Sequence, residues 1–259
     1  MKKINKIAVM TSGGDSPGMN AAIRSVVRTC AYYQKDCIGI YRGYQGMIEG
    51  DFVELKARSV NNIINKGGTI LKTARSKEFR TKEGREKAFL NLKKHEIDAL
   101  VVIGGDGSFT GALVFNTEFN FPIIGIPGTI DNDIFGTSHT IGFDTALNTA
   151  VEAIDKIRDT ASSHNRLFFV EVMGRDAGFI ALNAGVGAGA EEILIPEEDL
   201  GLERMLESLT KSRKSGKSSS IVVVAEGDKN GKNVFELADY VEKNLPDYEA
   251  RVSVLGHMQ

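Results

Sequence analysis

The sequence has few of the residues from which disulfide scaffolds and zinc sites are built. Its 259 residues include two cysteines, Cys30 and Cys37, and four histidines. The cysteine spacing matches no metal or redox motif, and the histidines are scattered along the chain. We therefore expect no zinc site, and we expect both cysteines to be reduced, buried or semi-buried thiols of a cytoplasmic protein.

Long apolar runs and a large excess of charge are missing as well. No run approaches the ~18 residues of a membrane span, and Lys2 and Lys3 precede a short apolar segment instead of the long apolar region of a signal peptide. A net charge of -2 argues against general binding to nucleic acid or to anionic membranes. With 42% hydrophobic and 25% charged residues, the composition is that of an ordinary globular protein.

Short apolar runs typical of buried strands alternate with amphipathic segments of helical period. We predict strands at 7–11, 38–41, 100–103 and 121–126 and helices at 19–32 and 81–94, with a loop at 43–50 and an extended segment at 69–75. After Gly142 the pattern restarts, with helices at 144–161, 177–190, 201–214 and 234–244 and strands at 168–173, 192–195 and 220–225. This rhythm predicts an α/β fold with two lobes, divided between residues 142 and 143, and a mostly parallel sheet.

A glycine-rich turn follows the third predicted strand. Gly104, Gly105 and Gly107 are interrupted by Asp106, and Ser108 lies where we expect the next helix to begin. Such a backbone lets a ligand approach closely, and the N–H groups of a helix N-terminus favour phosphate. A carboxylate beside phosphate needs a cation between them, so we interpret Asp106 as a Mg²⁺ ligand. An ordinary turn with an N-capping aspartate is the alternative that this motif alone leaves open.

The fourth predicted strand ends in a turn that carries Thr129, Asp131 and Asp133. Open α/β sheets bind ligands at the carboxyl ends of their strands, so we expect these side chains to lie near Asp106. One carboxylate can assist the metal while another accepts a proton from an attacking hydroxyl, as phosphoryl transfer requires. A calcium loop is the competing interpretation, but Gly142 stands where that loop would need a glutamate.

The first predicted strand is also followed by a glycine turn, which contains Gly14, Ser16 and Gly18. The Gly-x-Ser-x-Gly pattern matches the nucleophile elbow of hydrolases. That elbow needs an N–H from the residue after the serine for its oxyanion hole, and Pro17 has none. A hydrolase site is therefore excluded, and the segment is a second glycine turn at a strand end.

Seven motifs, in the same order, resemble those of the bacterial ATP-dependent 6-phosphofructokinase family from residue 4 to the last residue. They are Thr11-Ser-Gly-Gly-Asp-Ser-Pro-Gly-Met-Asn-Ala-Ala22, Gly104-Gly-Asp-Gly-Ser108, Pro127-Gly-Thr-Ile-Asp-Asn-Asp133, Gly142-Phe-Asp-Thr-Ala146, Val172-Met-Gly-Arg175, Ala225-Glu-Gly227 and Val254-Leu-Gly-His257. The resemblance implies two Rossmann-like three-layer α/β/α lobes, the first binding ATP and Mg²⁺ and the second binding fructose 6-phosphate, with the active site in the cleft between them. It also implies transfer of the γ-phosphoryl group of MgATP to the 1-hydroxyl of fructose 6-phosphate, giving fructose 1,6-bisphosphate in glycolysis. The expected enzyme is a cytoplasmic, allosterically regulated homotetramer.

The resemblance also implies roles for individual residues. Asp131 resembles the base that takes the sugar hydroxyl proton, and Asp106 resembles the carboxylate associated with Mg²⁺. The expected catalytic residues are Asp131, Arg75, Thr129, Asp133 and Arg175. The expected ATP-binding residues are Gly14, Arg75, Ser76, Gly105, Asp106, Gly107, Ser108 and Gly111. The expected sugar-phosphate residues are Thr129, Asp131, Asp133, Met173, Gly174, Arg175, Glu226 and His257, with Arg166 and Arg251 supplied by a neighbouring subunit.

A regulatory site is implied in the same way, with ADP as activator and phosphoenolpyruvate as inhibitor. Its residues are Arg24, Arg28, Arg58, Arg158, Glu191 and Lys217. Arg24 and Arg28 are four residues apart on a predicted helix and share a face, which without the resemblance would be a solvated basic stripe. Ser215 stands at a place that is usually basic, and Arg58 is one position from the family's arginine. These departures leave the effector preference open.

Two glycines bear on the phosphoryl donor. Pyrophosphate-dependent relatives carry a carboxylate at the position of Gly107 and a lysine at that of Gly128, so the residues here favour ATP.

The family continues after the position of Gln259 for roughly sixty residues, enough for several elements, which supply a further arginine for the sugar phosphate and helices that cover the sheet. A pyrophosphate-dependent kinase and a truncated chain that binds nucleotide without turnover remain as alternatives.

Overall fold

The computed structural model describes residues 4–163, 166–198, 201–216, 220–227 and 233–259. The chain divides into two units. The first contains the residues up to Ile130 together with Ile134–Gly142, and the second contains Asp131–Asp133 and Phe143–Gln259. Within the described ranges, no helix is both long enough and apolar enough to cross a membrane.

The first unit is built on a sheet in the order β3-β2-β1-β4-β5. Its strands are β1 Lys6–Thr11, β2 Asp36–Ile40, β3 Phe52–Glu54, β4 Ala99–Gly104 and β5 Ile123–Pro127. All neighbouring pairs are parallel except β2 and β3, which are antiparallel. Because β1, β4 and β5 are adjacent and parallel, the turns that follow them meet at one edge of the sheet.

Helices cover both faces of this sheet. They are α1 Met19–Tyr32, α2 Gly43–Glu49, α3 Lys82–Lys94 and α4 Asp106–Phe119, with a short 3₁₀ helix at Glu78–Arg80. Successive side chains of β1 point to opposite faces: Met10 packs in one core cluster with Leu92 and Phe115, and Val9 packs in the other with Ile23. The unit therefore has three layers.

The second unit has a parallel sheet in the order β7-β8-β6-β9. Its strands are β6 Arg166–Val172, β7 Glu192–Leu194, β8 Ser220–Ala225 and β9 Glu249–Val254. Its helices are α5 Phe143–Ser162, α6 Phe179–Gly187, α7 Leu202–Lys214 and α8 Val234–Asn244, with a short 3₁₀ helix at Gly256–Met258. Side chains of α7 and α8 pack with Phe169 and Val222 on one face of the sheet, whereas α5 and α6 contact β6 and β8 from the other side. The expected fold class, two α/β lobes with mostly parallel sheets, is confirmed.

Local expectations were wrong in three places. Residues 43–50, expected as a loop, contain α2, because this helix packs directly on the backbone: a Cβ at Gly46 would lie 1.7 Å from the carbonyl oxygen of Tyr41. The segment 69–75, expected as extended, makes a turn in which the N–H of Lys72 donates to the carbonyl of Thr69. Helix α4 begins at Asp106, two residues before Ser108. By contrast, Thr81 caps α3 as expected, accepting from the N–H of Gly84 at 3.1 Å.

Candidate active site

Three glycine turns meet at the carboxyl edge of the first unit's sheet. The N–H of Ser12 donates to the carbonyl of Ile103 at 2.9 Å, and the N–H of Gly128 donates to the carbonyl of Gly104 at 2.9 Å. The hydroxyl of Ser16 donates to the carbonyl of Gly128. The turns after β1, β4 and β5 are thus hydrogen-bonded to one another, as the strand order predicts.

The glycines of these turns fall into two groups, which differ in what a side chain at each position would meet. A Cβ at Gly104 would lie 2.5 Å from the carbonyl oxygen of Ser12 and 2.7 Å from the hydroxyl of Ser108, so packing within the fold requires glycine there. At Gly14 and Gly107, by contrast, no atom of the described residues beyond the immediate chain lies within 4 Å of a Cβ position. The space over Gly14 and Gly107 is therefore open.

The start of helix α4 contributes the polar groups of this edge. Its N-cap is Gly105, which has no side chain to cap the first turn, and Asp106 is exposed in that turn. Ser108 is buried, and its carbonyl accepts a hydrogen bond of 2.6 Å from the hydroxyl of Tyr44. Burial raises the pKa of Tyr44, so this hydroxyl remains a donor.

The donor set around Asp106 fits a magnesium ion that is held mainly by substrate. Among the described residues, no group of three or more His, Cys, Asp or Glu side chains could hold a metal ion by itself. Mg²⁺ usually binds one or two carboxylates together with waters and substrate phosphates. The exposed carboxylate of Asp106, beside a helix N-terminus that favours phosphate, satisfies this requirement.

The loop that carries Arg75 is anchored to the end of β1. The hydroxyl of Thr11 donates to the carbonyl of Lys72 at 3.0 Å and contacts the hydroxyl of Thr69 at 2.9 Å. Arg75 follows three residues later and is exposed. Ser76 precedes the short 3₁₀ helix, and its hydroxyl accepts from the N–H of Phe79 at 3.1 Å.

The turn after β5 carries Thr129, Asp131 and Asp133. Asp131 is 8% exposed, whereas Asp133 is exposed. One carboxylate oxygen of Asp131 lies 3.8 Å from the Nε atom of Arg175. The structure thus brings together two predicted catalytic residues that are 44 positions apart in the chain.

In the second unit, the carboxyl ends of β6, β8 and β9 carry five of the predicted sugar-phosphate residues. Met173, Gly174 and Arg175 form a turn after β6, and both Glu226 and the segment after β9 contact this turn. The burial of Glu171 and the charge of Glu226 raise the pKa of the Glu171 carboxyl above its ordinary value. His257 lies in the 3₁₀ helix after β9 and is exposed.

A family model for phosphofructokinase matches residues 6–259. The chain belongs to the phosphofructokinase family. It is 55% identical over 259 residues to the protein named ATP-dependent 6-phosphofructokinase 2 from Bacteroides thetaiotaomicron, and the match covers 100% of this chain and 79% of that protein.

Solved phosphofructokinase structures have the same fold. A phosphofructokinase from Saccharomyces cerevisiae matches with a TM-score of 0.93 and 40% identity, over 98% of this chain and 38% of the longer yeast chain. A pyrophosphate-dependent phosphofructokinase from Marinobacter aquaeolei matches with a TM-score of 0.86 and 22% identity, over 98% of this chain and 69% of that chain. At that identity the second likeness shows the fold alone.

Two arginines that the phosphofructokinase resemblance assigns to a neighbouring subunit lie away from the turn at Met173. Arg166 is the first residue of β6, so the strand separates it from that turn by about 20 Å at ~3.3 Å per residue. Its Nε atom donates to Glu249 at 3.1 Å. Arg251 lies on the edge strand β9, where it is paired in register with Phe168, and it also contacts Glu249. Within this chain, neither arginine joins the residues at the carboxyl edge.

The predicted regulatory residues of the phosphofructokinase fold fall into two groups. In the first unit, Arg24 donates to the carbonyl of Val60 at 3.1 Å, which brings the loop of Arg58 next to the helix that carries Arg24 and Arg28. In the second unit, Arg158 donates to the carbonyls of Ala188 and Gly189 at 2.6 and 2.9 Å. Glu191 accepts from the N–H of Ile221 at 2.6 Å. Lys217 lies outside the described residues.

The sequence reasoning missed one polar residue at the carboxyl edge of the second unit's sheet. The side chain of Gln259 is 8% exposed, and its oxygen accepts a hydrogen bond from the N–H of Met173 at 2.9 Å. Gln259 lies two residues after His257, which ends the last of the phosphofructokinase motifs. This position was the one signal in the sequence that could have pointed to Gln259.

Proposed function

We propose that this chain is an ATP-dependent 6-phosphofructokinase, a phosphotransferase of glycolysis. It would transfer the γ-phosphoryl group of MgATP to the 1-hydroxyl of fructose 6-phosphate and form fructose 1,6-bisphosphate. The observation that carries the proposal is the open space over Gly107 at the N-terminus of α4, next to the exposed carboxylate of Asp106. Family membership and the identity to the bacterial relative support the same activity.

We assign the nucleotide to the first unit. The N–H groups at the start of α4 and the positive end of its dipole favour phosphate oxygens, and the open space over Gly14 and Gly107 admits them. The other residues of the proposed ATP site are Arg75, Ser76, Gly105, Asp106, Ser108 and Gly111. At Gly111 a Cβ would lie 3.3 Å from the ring of Tyr44, so packing alone accounts for that glycine.

Mg²⁺ would be held by Asp106 together with the phosphates of ATP. When bound, the ion would supply positive charge that offsets the negative charge developing on the phosphoryl oxygens. The carboxylate of Asp106 would hold and orient the cation at the N-terminus of α4. ATP and Mg²⁺ are the cofactors of this proposal.

Asp131 is the proposed general base. It would accept the proton of the sugar 1-hydroxyl as the oxygen bonds to the γ-phosphorus and the bond from that phosphorus to the bridging oxygen breaks, which releases ADP. Its burial limits competing water, and Arg175, 3.8 Å away, supplies positive charge beside the reacting oxygens. Arg75 and Thr129 would stabilise the transferring phosphoryl group, whose loose transition state spreads negative charge over its oxygens.

Fructose 6-phosphate would bind at the carboxyl edge of the second unit's sheet. The proposed sugar residues of this chain are Thr129, Asp131, Asp133, Met173, Gly174, Arg175, Glu226 and His257. Arg166 and Arg251 would bind the 6-phosphate of a neighbouring subunit's substrate. Their distance along β6 and β9 from the carboxyl edge supports this role, because it separates them from the sugar residues of their own chain. Activity would then depend on assembly, and we propose a cytoplasmic homotetramer.

We further propose that Arg24, Arg28, Arg58, Arg158, Glu191 and Lys217 form an effector site for ADP and phosphoenolpyruvate. Arg24 and Arg28 lie one turn apart on α1, and the hydrogen bond from Arg24 to Val60 brings the loop of Arg58 next to this helix, which supports an anionic effector. We assign no preference between the two effectors, because Ser215 stands where the family usually has a basic residue.

Pyrophosphate as donor is the second candidate. A Cβ at Gly128 would lie 3.1 Å from Ile103 and 3.4 Å from Met19, so the lysine of pyrophosphate-dependent relatives would crowd two core side chains. Glycine at this position therefore supports ATP. A coupled assay for fructose 1,6-bisphosphate with each donor and Mg²⁺ tests the proposal: turnover with pyrophosphate alone would contradict it. ATP binding without turnover would instead support a truncated nucleotide-binding chain.

A further inference from the structure

The turn that carries Arg175 has an unusual backbone. Gly174 has a φ of 144° and Arg175 has a φ of 55°, so two successive residues lie in a region that side chains rarely adopt. A Cβ at Gly174 would lie 2.5 Å from the carbonyl oxygen of Ala177. An arginine held with a positive φ needs surrounding contacts that enforce this conformation.

Two side chains from different strand ends provide those contacts. The oxygen of Gln259 accepts from the N–H of Met173 at 2.9 Å. One oxygen of Glu226 accepts from the N–H of Gly174 at 3.3 Å and from that of Arg175 at 2.7 Å. Three consecutive backbone N–H groups therefore donate to two side chains.

The backbone after Glu226 packs against the same turn. A Cβ at Gly227 would lie 2.0 Å from the carbonyl oxygen of Arg175, so glycine is needed for this contact. The N–H of Glu226 in turn donates to the carbonyl of Val172 at 3.0 Å. The ends of β6 and β8 thus form one rigid support for the turn.

Packing alone does not favour glutamine at position 259. The side chain is 8% exposed, and within the described part of the chain its Nε2 atom has no hydrogen-bond partner. A buried amide with an unused donor is less stable than an apolar side chain of the same size. The contact that favours glutamine here is the hydrogen bond that its oxygen accepts from the N–H of Met173.

We infer that Gln259 is a positioning residue for phosphoryl transfer: together with Glu226 it fixes the turn of residues 173–175, so that the guanidinium of Arg175 stays beside the carboxylate of Asp131. This inference rests on the proposed function, because Asp131 acts there as the base. In this positioning role Gln259 need not contact the substrate or Asp131. It acts through the backbone of Met173 and the direction of Arg175.

Two variants separate the hydrogen bond from the volume of the side chain. Gln259→Met keeps the length and removes the strong acceptor, whereas Gln259→Glu keeps an acceptor for the N–H of Met173. We expect Gln259→Met to raise the amide exchange rate of Met173 about two- to tenfold, as for the loss of one hydrogen bond. We expect kcat to fall about ten- to hundredfold through misplacement of Arg175, with the KM for ATP unchanged, and Gln259→Glu to restore most of both.

A double-mutant cycle tests whether Gln259 acts through Arg175. In an Arg175→Ala background, Gln259→Met should lower kcat by less than about twofold, because the guanidinium that it positions is absent. Full additivity of the two losses would overturn the inference. Gln45→Met is the matched control, since this glutamine bonds the side chain of Glu49 on α2 in the first unit; it should leave kcat and the exchange of Met173 unchanged.

The remaining outcomes separate this inference from the proposed function. Unchanged kcat in a folded Gln259→Met variant, with an active wild-type chain, would overturn the positioning role and leave the proposed function intact. Unchanged exchange of Met173 would overturn the hydrogen bond on which the role depends. Absence of turnover in the wild-type chain would overturn the proposed function and, with it, the catalytic role of Gln259.

Discussion

Replacing Gly107 with aspartate puts a carboxylate at the N-terminus of α4, where we propose that the phosphates of ATP bind. The fold should tolerate this change, because no atom of the described residues beyond the immediate chain lies within 4 Å of a Cβ at this position. An acidic residue in the first turn of a helix is itself stabilising by ~0.3–1 kcal/mol. We therefore expect the melting temperature of Gly107→Asp to be equal to that of the wild type or slightly higher.

The effect on ATP should be large. Two unit charges about 5 Å apart repel each other by roughly 3 kcal/mol at an effective dielectric constant of ~20, which corresponds to about a hundredfold in affinity. Mg²⁺ on the phosphates offsets part of this repulsion, so we expect the KM for ATP to rise by about ten- to hundredfold. The KM for fructose 6-phosphate should not change, because the proposed sugar residues lie on other turns.

Steady-state kinetics with varied ATP and saturating fructose 6-phosphate measure this effect. Gly107→Asn is the control, because it adds nearly the same volume without the charge. An equal loss in both variants would mean that volume, not charge, excludes ATP. An unchanged KM for ATP in Gly107→Asp would refute the location of the phosphates at this helix end.

The other predictions concern the base, a half-buried acid and a helix cap. Asp131→Asn should lower kcat by about 10²- to 10⁴-fold with the KM for ATP unchanged; normal turnover would remove Asp131 from its role. Because the pKa of Glu171 is raised above its ordinary value of 4.5, its stabilising contribution is present below that value and is lost as the pH rises through the raised pKa. Glu171→Gln should therefore be more stable than the wild type at about pH 8 but not at about pH 4, as measured by urea unfolding, and the same difference at both pH values would contradict the assignment. Asn233 accepts from the N–H groups of Phe235 and Glu236 at 3.0 Å each, so Asn233→Ala should cost about 1 kcal/mol; an unchanged thermal unfolding transition would argue against this cap.

Most of the fold follows from local patterns, because buried strands and amphipathic helices have clear periods. Strand β8 and helix α8 have the predicted bounds, and Thr81 caps α3 as expected. Helix α2 could not be recognised from its glycines, because Gly43 fits a close contact with the carbonyl oxygen of Thr11, which is a tertiary feature. Strand β9 was missed, although Glu249, Ala250, Arg251 and Val252 alternate between polar and apolar, a signal of period two that could have been used.

The site was predictable in part. The convergence of the three glycine turns follows from the parallel order of β1, β4 and β5. The pairing of Asp131 with Arg175 requires tertiary structure, and the family resemblance nominated both residues without stating their distance. The support that Gln259 gives to Met173 depends on where the chain runs after β9, which no local pattern encodes.

The central claim is that this chain transfers a phosphoryl group from ATP to fructose 6-phosphate. The most direct measurement is the rate of fructose 1,6-bisphosphate formation by the wild-type chain with Mg²⁺ and either ATP or pyrophosphate. The account predicts turnover with ATP, loss of that turnover in Asp131→Asn, and none with pyrophosphate. Turnover with pyrophosphate but not with ATP would contradict it.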